Sequence, residues 1–406
     1  MSLWILGGLL ASLQVITFTQ ALEQSQHAPL LVAASAVESA RRAQAQRVSL
    51  MTHNPVFGVQ PGERAFAGGG SGFEVYMSLS QRVNLAGLSK RRRESLEREL
   101  AHDAAARATL RVAVRRGIAE LWLARWSAQA ALAVAARERA LADELAARVE
   151  TMLAAGEGTV LEQSAARTWG AEAEISALFF EGEALTAGTT LARAMGQAPT
   201  APLAVSDALP QIELGEESSL RALLVDVSSA PAVVSAASQR QVDSSRLAET
   251  AAARGATMAL GALGWREGGG DLALVGTLEV DVPVFERGER ERATVAAELA
   301  RSRGTELDSM LAAQAERVLW LHDVEHSREV LAVVVDKLLP AAHAVADAQY
   351  RRMQAREATA QEWVLARRAV LKSELDAIRA RATHALARFL VAEAVAQQSQ
   401  QTRAAQ

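Results

Sequence analysis

Residues 67–87 read AGGGSGFEVYMSLSQRVNLAG, and residues 267–288 read EGGGDLALVGTLEVDVPVFERG. Each stretch has three glycines, a run of alternating apolar and polar residues, and a closing glycine before a long charged segment. The glycine triplets start 200 positions apart, and the closing glycines, Gly87 and Gly288, are 201 apart. A pattern that recurs at a fixed offset is the signature of an internal repeat. We therefore interpret the chain as a tandem duplication, with chance matching in an alanine-rich sequence as the alternative.

Three more pairs of landmarks recur in the same order at nearly the same offset. Such agreement along the chain is expected if the second half is a copy of the first. The pairs are Ala28-Pro29 with Ala230-Pro231, Leu121-Trp122 with Leu319-Trp320, and Glu157, Thr159 and Glu162 with Glu357, Thr359 and Glu362.

The composition favours a helical protein with little aromatic packing material. Apolar residues make up 50% of the chain, but aromatic residues make up only 4%. Alanine, leucine, glutamate and arginine are abundant and are strong helix formers, whereas globular cores need aromatic and branched side chains. The net charge of −4, without a basic patch interleaved with aromatics, argues against nucleic acid as a partner. The chain has no cysteine, so neither disulfides nor a cysteine-linked lipid anchor is expected.

The first residues of the chain, 1–15, form an apolar segment that reads MSLWILGGLLASLQV. The apolar run is too short to span a membrane and has the length of the apolar region of a signal peptide. It lacks the usual basic start, so we interpret it as a signal-like segment with a truncated beginning. A buried helix would show the same run.

A long helix is predicted after the first glycine block. Apolar residues recur there at spacings of three and four, as at Leu110, Val114, Ile118 and Leu121, and residues 88–155 contain one glycine and no proline. This spacing places the apolar side chains along one stripe of a helix, as in a coiled coil. Because an average globular helix has about 11–12 residues, such a helix is unusually long.

The same series of elements is predicted in each half of the chain. A helix, at about 17–52 and 219–253, precedes each glycine-rich block. In the first repeat, residues 16–198, we expect a hairpin at about 55–86, a long helix at about 87–155 and a return helix at about 160–195. A linker at 199–218 leads to the second repeat, residues 219–396, with a hairpin at about 255–287, a long helix at about 288–355, a return helix at about 360–396 and a disordered tail at 397–406.

The alternating runs predict strands with one apolar and one polar face. We expect the residues of one parity to face lipid, while Glu74, Ser78, Thr277 and Glu279 line a wet interior. A sheet half-buried on a soluble core would alternate in the same way, but the sequence shows no such core. The expected lipid-facing residues are Val75, Met77, Leu79, Leu278 and Val280.

Counting strands indicates an oligomer. Each chain is expected to supply four strands, two from each repeat. Open sheet edges are not tolerated in lipid, and the smallest outer-membrane barrels have about eight strands. Closure therefore needs several copies, and three copies would give a twelve-strand β-barrel continued by a tube of the long helices.

The chain resembles the TolC-type outer membrane efflux family from about Ile16 to Ala394. Each motif is loose, but their order and spacing are specific, and two of them, PVFERGERE and LLPAAH, favour the heavy-metal cation branch. The stretches that carry the resemblance are ITFTQALEQSQHAPLLVAASAVESA at 16–40, NPVFG at 54–58, AAGEGTVLEQSAA at 154–166, LEVDVPVFERGERERATVAAELA at 278–300 and LLPAAHAVADAQY at 338–350.

The resemblance implies a homotrimer with a twelve-strand β-barrel in the outer membrane and a large periplasmic α-barrel. It implies an exit duct for a tripartite efflux system or for type I secretion, passing small molecules or metal cations. The implied partners are a periplasmic adaptor, also called a membrane fusion protein, an inner-membrane pump reached through the adaptor, and outer-membrane lipid. The sequence departs from the family pattern after Tyr350, where we expect a glycine and find none.

No catalytic or cofactor motif is present, so we expect neither an enzyme nor a cofactor. The chain lacks a P-loop, a dinucleotide fingerprint and a nucleophile elbow. The strongest chemical motif is LHDVEH at 321–326, in which His322 and His326 are four residues apart on one helical face. That spacing suits Zn²⁺ but supplies only two ligands, and a pair of solvated histidines is the favoured interpretation.

A basic run, KRRRESLERELAHD, occupies residues 90–103 just after the first predicted hairpin. Cationic side chains at that place would meet anionic lipid headgroups. The alternative is a solvated first helical turn with ion pairs between neighbouring turns.

The turns between the long and return helices are predicted to face the adaptor. Glycine between two helices marks a tight turn, and a turn without further function is the alternative. The tip residues that we expect to contact the adaptor are Gly156, Glu157, Gly158, Thr159, Glu357 and Thr359.

A gate is predicted beside the second tip, in the stretch DAQYRRMQARE at 347–357. Charged side chains on inner helices would constrict a tube through ion pairs or repulsion, and a merely exposed helix face is the alternative. The gate candidates are Asp347, Tyr350, Arg351, Arg352 and Arg356.

A helical coiled-coil scaffold without a pore is the rival hypothesis. It would account for the long helices but not for the paired alternating runs and their matched glycines. A membrane-bound hydrolase is a weaker alternative because no catalytic set is present.

Overall fold

The computed structural model describes residues 14–46, 53–65, 67–199, 203–214, 220, 226–266 and 271–405. The chain divides into two compact units, and both repeats contribute to each of them. The helical unit comprises the described residues of Met1–Ala33, Thr109–Ala230 and Ala312–Gln406. The sheet unit comprises those of Ala34–Ala108 and Pro231–Leu311.

The elements follow the predicted repeat of helix, β-hairpin and long helical hairpin. The first half contains β1 (Gln14–Ile16), α1 (Phe18–Gln24), a 3₁₀ turn (Ser25–His27), α2 (Pro29–Ala45), β2 (Val56–Ala65), β3 (Ser71–Asn84), α3 (Leu88–Ala154) and α4 (Val160–Ala194). The second half contains β4 (Leu203–Val205), α5 (Pro231–Ala253), β5 (Thr257–Arg266), β6 (Leu272–Asp281), α6 (Glu289–Val333), a π-helical turn (Val334–Leu338), α7 (Leu339–Gln354) and α8 (Ala360–Ala405).

The ends of the chain and the linker differ from the expectation. Helix α8 continues to Ala405, so residues 397–405 are helical where a disordered tail was predicted, because they contain no glycine or proline that would end the helix. The predicted linker contains strand β4. Most of the signal-like segment, residues 1–13, and the second glycine triplet lie outside the described residues.

The core of the helical unit is built around the few aromatic residues of the chain. The Trp122 ring, which is fully buried, makes an edge-on contact with Phe18 at a centroid distance of 5.3 Å, and Phe389 contacts Phe18 at 5.4 Å. Strand β1 pairs with β4 in parallel, and the Trp122 indole N–H donates to the Ile16 carbonyl at 3.0 Å. These contacts join segments from both repeats around one core.

Four strands form one antiparallel sheet in the order β2-β3-β5-β6. In the two hairpins Val56 lies opposite Ser80, and Thr257 lies opposite Asp281. The hairpins meet at the centre of the sheet, where β3 pairs with β5 as far as the pair Asn84 and Thr257. The sheet therefore joins strands from both repeats in one hydrogen-bonded layer.

A glycine separates each hairpin from the long helix that follows. Gly87 and Gly288 have φ angles of 75° and 71°, in the left-handed region. Glycine adopts this conformation without the penalty that a Cβ atom imposes. The chain therefore turns into α3 at Leu88 and into α6 at Glu289 through the same backbone conformation in both repeats.

The long helix of the second repeat contains a π-helical turn, whereas α3 is continuous. The π turn, Val334–Leu338, ends just before Pro340, which lies in the first turn of α7. Proline lacks an N–H and clashes with the carbonyl four residues before it, so the widened turn accommodates it without ending the helix. Within the described part of the chain, no helix combines the length and the apolar character needed to cross a membrane.

Candidate functional site

The first helical tip, between α3 and α4, is closed by main-chain and side-chain caps. Gly156 has a φ of 75°, and the Glu157 N–H donates to the Met152 carbonyl at 2.9 Å. Thr159 Oγ1 accepts from the Glu162 N–H at 3.1 Å, and a Glu162 carboxylate oxygen accepts from the Thr159 N–H at 3.0 Å. A left-handed C-terminal turn and a reciprocal N-terminal cap thus define the tip.

The second tip, between α7 and α8, has a similar pattern of caps but no glycine. Arg356 has a φ of 61° and is the only described residue other than glycine with a positive φ. The Glu357 N–H donates to the Arg352 carbonyl at 2.8 Å, and Thr359 and Glu362 form the reciprocal cap at 3.0 and 3.3 Å. An arginine is therefore held in a conformation that disfavours L residues by about 1–2 kcal/mol.

The two tips contact each other within the helical unit. The Arg356 guanidinium donates to a Glu157 carboxylate oxygen at 2.8 Å, and both side chains are more than half exposed. A cavity of about 540 Å³ opens beside this pair, with Met152, Met353 and Arg148 among its lining residues. The predicted tip residues of the two repeats are therefore brought together in one place.

Tyr350 differs in its surroundings from the other gate candidates. Its ring is half-buried and lies 5.4 Å from the Trp363 ring, which makes an edge-on contact with Trp169 at 5.3 Å. These rings belong to an apolar cluster that includes Leu145 and Val149 of α3. Tyr350 therefore packs α7 against the first repeat and is not part of a charged surface.

The other gate candidates are exposed. Asp347 and Arg351 lie on the surface of α7. Arg352 donates to the Gln349 side chain at 3.4 Å and to the Glu357 carbonyl at 3.3 Å. These exposed, charged side chains lie beside a tip, and the gate stays a proposal for the assembled protein.

A series of ion pairs between the repeats was not predicted from the sequence. They connect α8 of the second repeat with α3 or α4 of the first, or join the two tips. Their partners are far apart in sequence, so no local spacing indicates them. They include Arg367 with Glu138 at 2.5 Å, Arg368 with Glu172 at 2.6 Å, Arg115 with Glu393 at 2.8 Å, Arg137 with Glu374 at 3.3 Å, and the tip pair of Arg356 with Glu157.

The pair of Arg367 and Glu138 is the most buried of these ion pairs. The Glu138 side chain is 3% exposed and the Arg367 side chain is 16% exposed. Burial raises the pKa of the Glu138 carboxyl, and the hydrogen bond and charge of Arg367 oppose that shift. Arg367 therefore offsets part of the desolvation cost of burying the Glu138 carboxylate between the repeats.

The sheet places all five predicted lipid-facing residues on one face. Because Leu79 lies opposite Ala262, which lies opposite Gly276, the even-numbered residues of β6 share a face with the odd-numbered residues of β3. Most large side chains of this face are exposed in the single chain. The apolar face carries Phe57, Val59, Phe73, Val75, Met77, Leu79, Leu260, Leu272, Leu274, Leu278 and Val280.

The opposite face of the sheet holds most of its charges. Glu74 is buried there beside Arg64, at 3.6 Å, and accepts from the Tyr76 hydroxyl at 2.7 Å. Nearer the helices, Arg82 lies 3.3 Å from Asp281. The two faces of one thin sheet therefore differ in character as the strand period predicts.

The His322 and His326 side chains project from one face of α6. Their rings are nearly parallel, 8° apart in plane, with centroids 5.7 Å from each other. Among the described residues, no group of three His, Cys, Asp or Glu side chains is arranged to hold a metal ion.

The basic run at 90–103 engages neighbouring acidic and polar side chains. Arg91 bonds Glu94 at 2.9 Å within the helix, and Arg92 lies 3.4 Å from Glu249 of α5. Ion pairs of this kind agree with the alternative of a solvated helix face.

The fold is shared with solved structures of outer membrane proteins. The chain is similar to the CmeC outer membrane channel of Campylobacter jejuni, with a TM-score of 0.72 and 12% identity over 94% of this chain and 85% of that one. It is similar to the outer-membrane channel OprN, at 0.71 and 18% over 93% and 89%. It is also similar to the outer membrane protein VceC of Vibrio cholerae, at 0.69 and 16% over 93% and 95%.

Comparisons at the level of sequence find no relative. No protein-family model matches the chain, and no curated protein matches it. The solved structures named above are described as outer membrane channels or outer membrane proteins. The chain has the fold of these outer membrane channels, and the predicted mainly helical tandem repeat of helix, β-hairpin and long helical hairpin is confirmed.

Proposed function

We propose that the chain is the outer-membrane exit duct of a tripartite efflux or type I secretion system and works as a homotrimer. The observation that carries this proposal is the sheet, with an exposed apolar face on one side and most of its charges on the other. An apolar face of this extent on a soluble protein would be an aggregation hazard, whereas in a bilayer it is the favoured surface.

The sheet supports a trimer because it is too small to close by itself. It has four strands, and within the described residues the outer edges of β2 and β6 have no partner strand. Unpaired N–H and C=O groups cannot remain in hydrocarbon, so copies must pair edge to edge. Three copies would supply twelve strands, in the range of known outer-membrane barrels.

The tips support docking of a periplasmic adaptor, through which an inner-membrane pump would be reached. Two rigid, capped turns lie side by side, with Glu157 and Arg356 exposed on their surface. Rigid tips with exposed charge offer defined geometry and electrostatic complementarity to a partner. Gly156, Gly158, Thr159, Glu357 and Thr359 are the proposed contacts around this pair.

We place the gate in the charged residues around the second tip. Asp347, Arg351, Arg352 and Arg356 would face their counterparts in the other copies, while Tyr350 anchors α7 to the first repeat. The cargo class is small molecules or metal cations, and the metal alternative rests on the sequence resemblance alone.

The proposed function is tested by the oligomeric state and conductance of the purified protein. We expect a trimer by light scattering in detergent, a heat-modifiable mobility in gels of the outer-membrane fraction, and channels in planar bilayers. A monodisperse monomer with native circular dichroism and no conductance would overturn the duct and favour the coiled-coil scaffold.

A further inference from the structure

The two β-hairpins of the sheet are equivalent residue by residue. The first hairpin pairs Val56 with Ser80 and ends at Ala65 opposite Ser71. The second begins with Thr257 opposite Asp281 and ends with Arg266 opposite Leu272. Every one of these positions in the second hairpin lies 201 residues after its counterpart in the first. Strand β5 is therefore the counterpart of β2, and β6 is the counterpart of β3.

The central joint of the sheet thus shows how a strand of the β3 type pairs with a strand of the β2 type. In that joint Ser80 lies opposite Gly261, and Asn84 lies opposite Thr257. The outer edges of the sheet are again one strand of each type, β6 and β2. If copies close a ring, the junction between two copies repeats the internal joint.

The lengths of β3 and β6 are a second, independent indication of how two copies would join. Strand β3 has 14 residues, but its counterpart β6 has only 10. The last four residues of β3, 81–84, are paired with β5 alone, since β2 begins opposite Ser80. The counterparts of these four residues are 282–285, which follow β6 without strand structure. They lack the neighbour that keeps 81–84 extended.

Three of the four residues 282–285 are apolar strand formers, and the fourth is Pro283. Their sequence is VPVF, and the exposed fractions of Val282, Val284 and Phe285 are 64%, 61% and 99%. Large apolar side chains are rarely left so exposed without a partner. Their exposure is explained if another strand covers this segment in the assembled protein.

We propose that β6 of one copy extends to Phe285 and pairs antiparallel with β2 of a second copy, with Asp281 opposite Gln60 and Phe285 opposite Val56. This inference rests on the proposed trimer and specifies its junction. The register follows from the displacement of 201 applied to the central joint, in which Ser80 lies opposite Gly261.

The side chains of the proposed junction are compatible with this register. On the apolar face, Val284 would lie opposite Phe57, and Val282 opposite Val59. On the polar face, Thr277 would lie opposite Arg64. A slip by one residue would turn apolar side chains to the polar face and is disfavoured for that reason. Slips by two residues keep the faces and must be distinguished by experiment.

Engineered disulfides measure the register directly because the chain contains no cysteine. Residues directly opposite in an antiparallel pair have Cα atoms about 4.5–5.5 Å apart, within the range that a disulfide spans. Diagonal neighbours are about 7–8 Å apart and are outside that range. The test variant is Gln60→Cys with Asp281→Cys. The matched controls are Gln60→Cys with Glu279→Cys and Gln60→Cys with Pro283→Cys, which report slips by two residues in either direction, and each single variant.

After mild oxidation in detergent, we expect the first double variant to form a covalent trimer on non-reducing gels. The two controls should give at least about five-fold less cross-linked product, since their Cα atoms would be diagonal. Stronger cross-linking in either control would overturn the register and leave the trimer intact. A trimer by light scattering that cross-links in none of the variants would overturn the junction. A monomer would overturn both the junction and the proposed function.

Discussion

The two repeats close their helical hairpins with the same turn but with different residues at its most demanding position. Gly156 in the first tip and Arg356 in the second have φ angles of 75° and 61°. The backbone bonds from residues 156 and 157 recur at 356 and 357, and both tips have the reciprocal Thr–Glu cap. The turn is therefore defined by its caps and by the packing of the helices that it joins, and these are strong enough to keep an arginine in the left-handed region.

The buried residues of the two return helices can be compared in the same way. Helices α4 and α8 bury several corresponding positions at an offset of 200, and at two of them the residues differ in size or polarity. Ala173 corresponds to Ser373, and Phe180 corresponds to Ala380, and all four are buried. The repeats thus preserve which face of a helix is covered while the covering side chains have diverged.

The largest effect is expected from the ion pairs that hold the repeats together. Arg367→Ala leaves the buried Glu138 carboxylate without its partner and should destabilise the protein by about 3–5 kcal/mol. Arg368→Ala is the matched control, because its pair with Glu172 is nearly half exposed and should be worth about 0–1 kcal/mol. Thermal unfolding followed by circular dichroism in detergent measures both. Equal losses in the two variants would show that burial does not distinguish these pairs.

The next largest effect concerns the two faces of the sheet, which both repeats share. Leu278→Arg places a charge on the proposed lipid face and should cost about 2–4 kcal/mol and reduce trimer yield. Glu279→Arg, one residue along, should leave the trimer yield unchanged and alter conductance. Leu79→Arg and Ser78→Arg repeat the contrast in the first repeat. If both faces respond alike in trimer yield and single-channel conductance, the sheet is not a membrane wall.

Exchanging the residues of the two tips should have a smaller effect. Gly156→Ala adds a Cβ atom at positive φ with open space around it, so the backbone alone should account for a loss of about 1 kcal/mol. Arg356→Gly should relieve the backbone and stabilise its tip by up to about 1 kcal/mol. The loss of the exposed ion pair with Glu157 should offset a small part of this gain. Unfolding midpoints of the two variants measure this, with Arg356→Asn as a control that removes the charge but tolerates positive φ. A loss on Arg356→Gly would mean that the arginine stabilises the tip through its side chain.

The smallest effect is expected from a histidine that only the second repeat has. His384 occupies the place of Ala184, and burial, with repulsion from Arg388 and Arg328, lowers its pKa. As the pH falls below about 6.5, the unfolded chain takes up a proton at this histidine before the folded chain does. The contribution of His384 to the free energy of unfolding is therefore full above that pH and declines below it. Unfolding midpoints between pH 5 and 8 should show this decline in the wild type. The slope should become smaller in His384→Asn, and an unchanged slope would rule out this histidine as its source.

Most of the fold was predicted from sequence patterns of short period. The alternation from Phe73 to Val83 and from Leu272 to Val280 indicated two-faced strands, and the glycines at 87 and 288 indicated turns into long helices. Each signal is local, because a strand face or a left-handed turn is specified by residues within a few positions. The repeat offset then supplied the long-range order that local signals lack.

Contacts between distant segments could not be predicted in this way. Nothing near Glu138 indicates Arg367, which is 229 positions away, and nothing near Tyr350 shows that its ring packs on Trp363 and not beside the charges around it. The π turn before Pro340 was also missed, since proline usually ends a helix and here the helix widens around it. Among the described segments, none brings a third metal-ligating side chain to His322 and His326.

The central joint of the sheet sets an order for folding. Asn84 pairs with Thr257, so 173 positions separate the two strands on which the sheet depends. Each hairpin closes a loop of only a few residues and can form early, but the joint must wait until the second repeat is present. During that interval β3 displays a free edge beside an apolar face, which is the arrangement most prone to mispairing. The duplication that makes the wall of the sheet therefore also creates a period in which the chain needs to be kept from other chains.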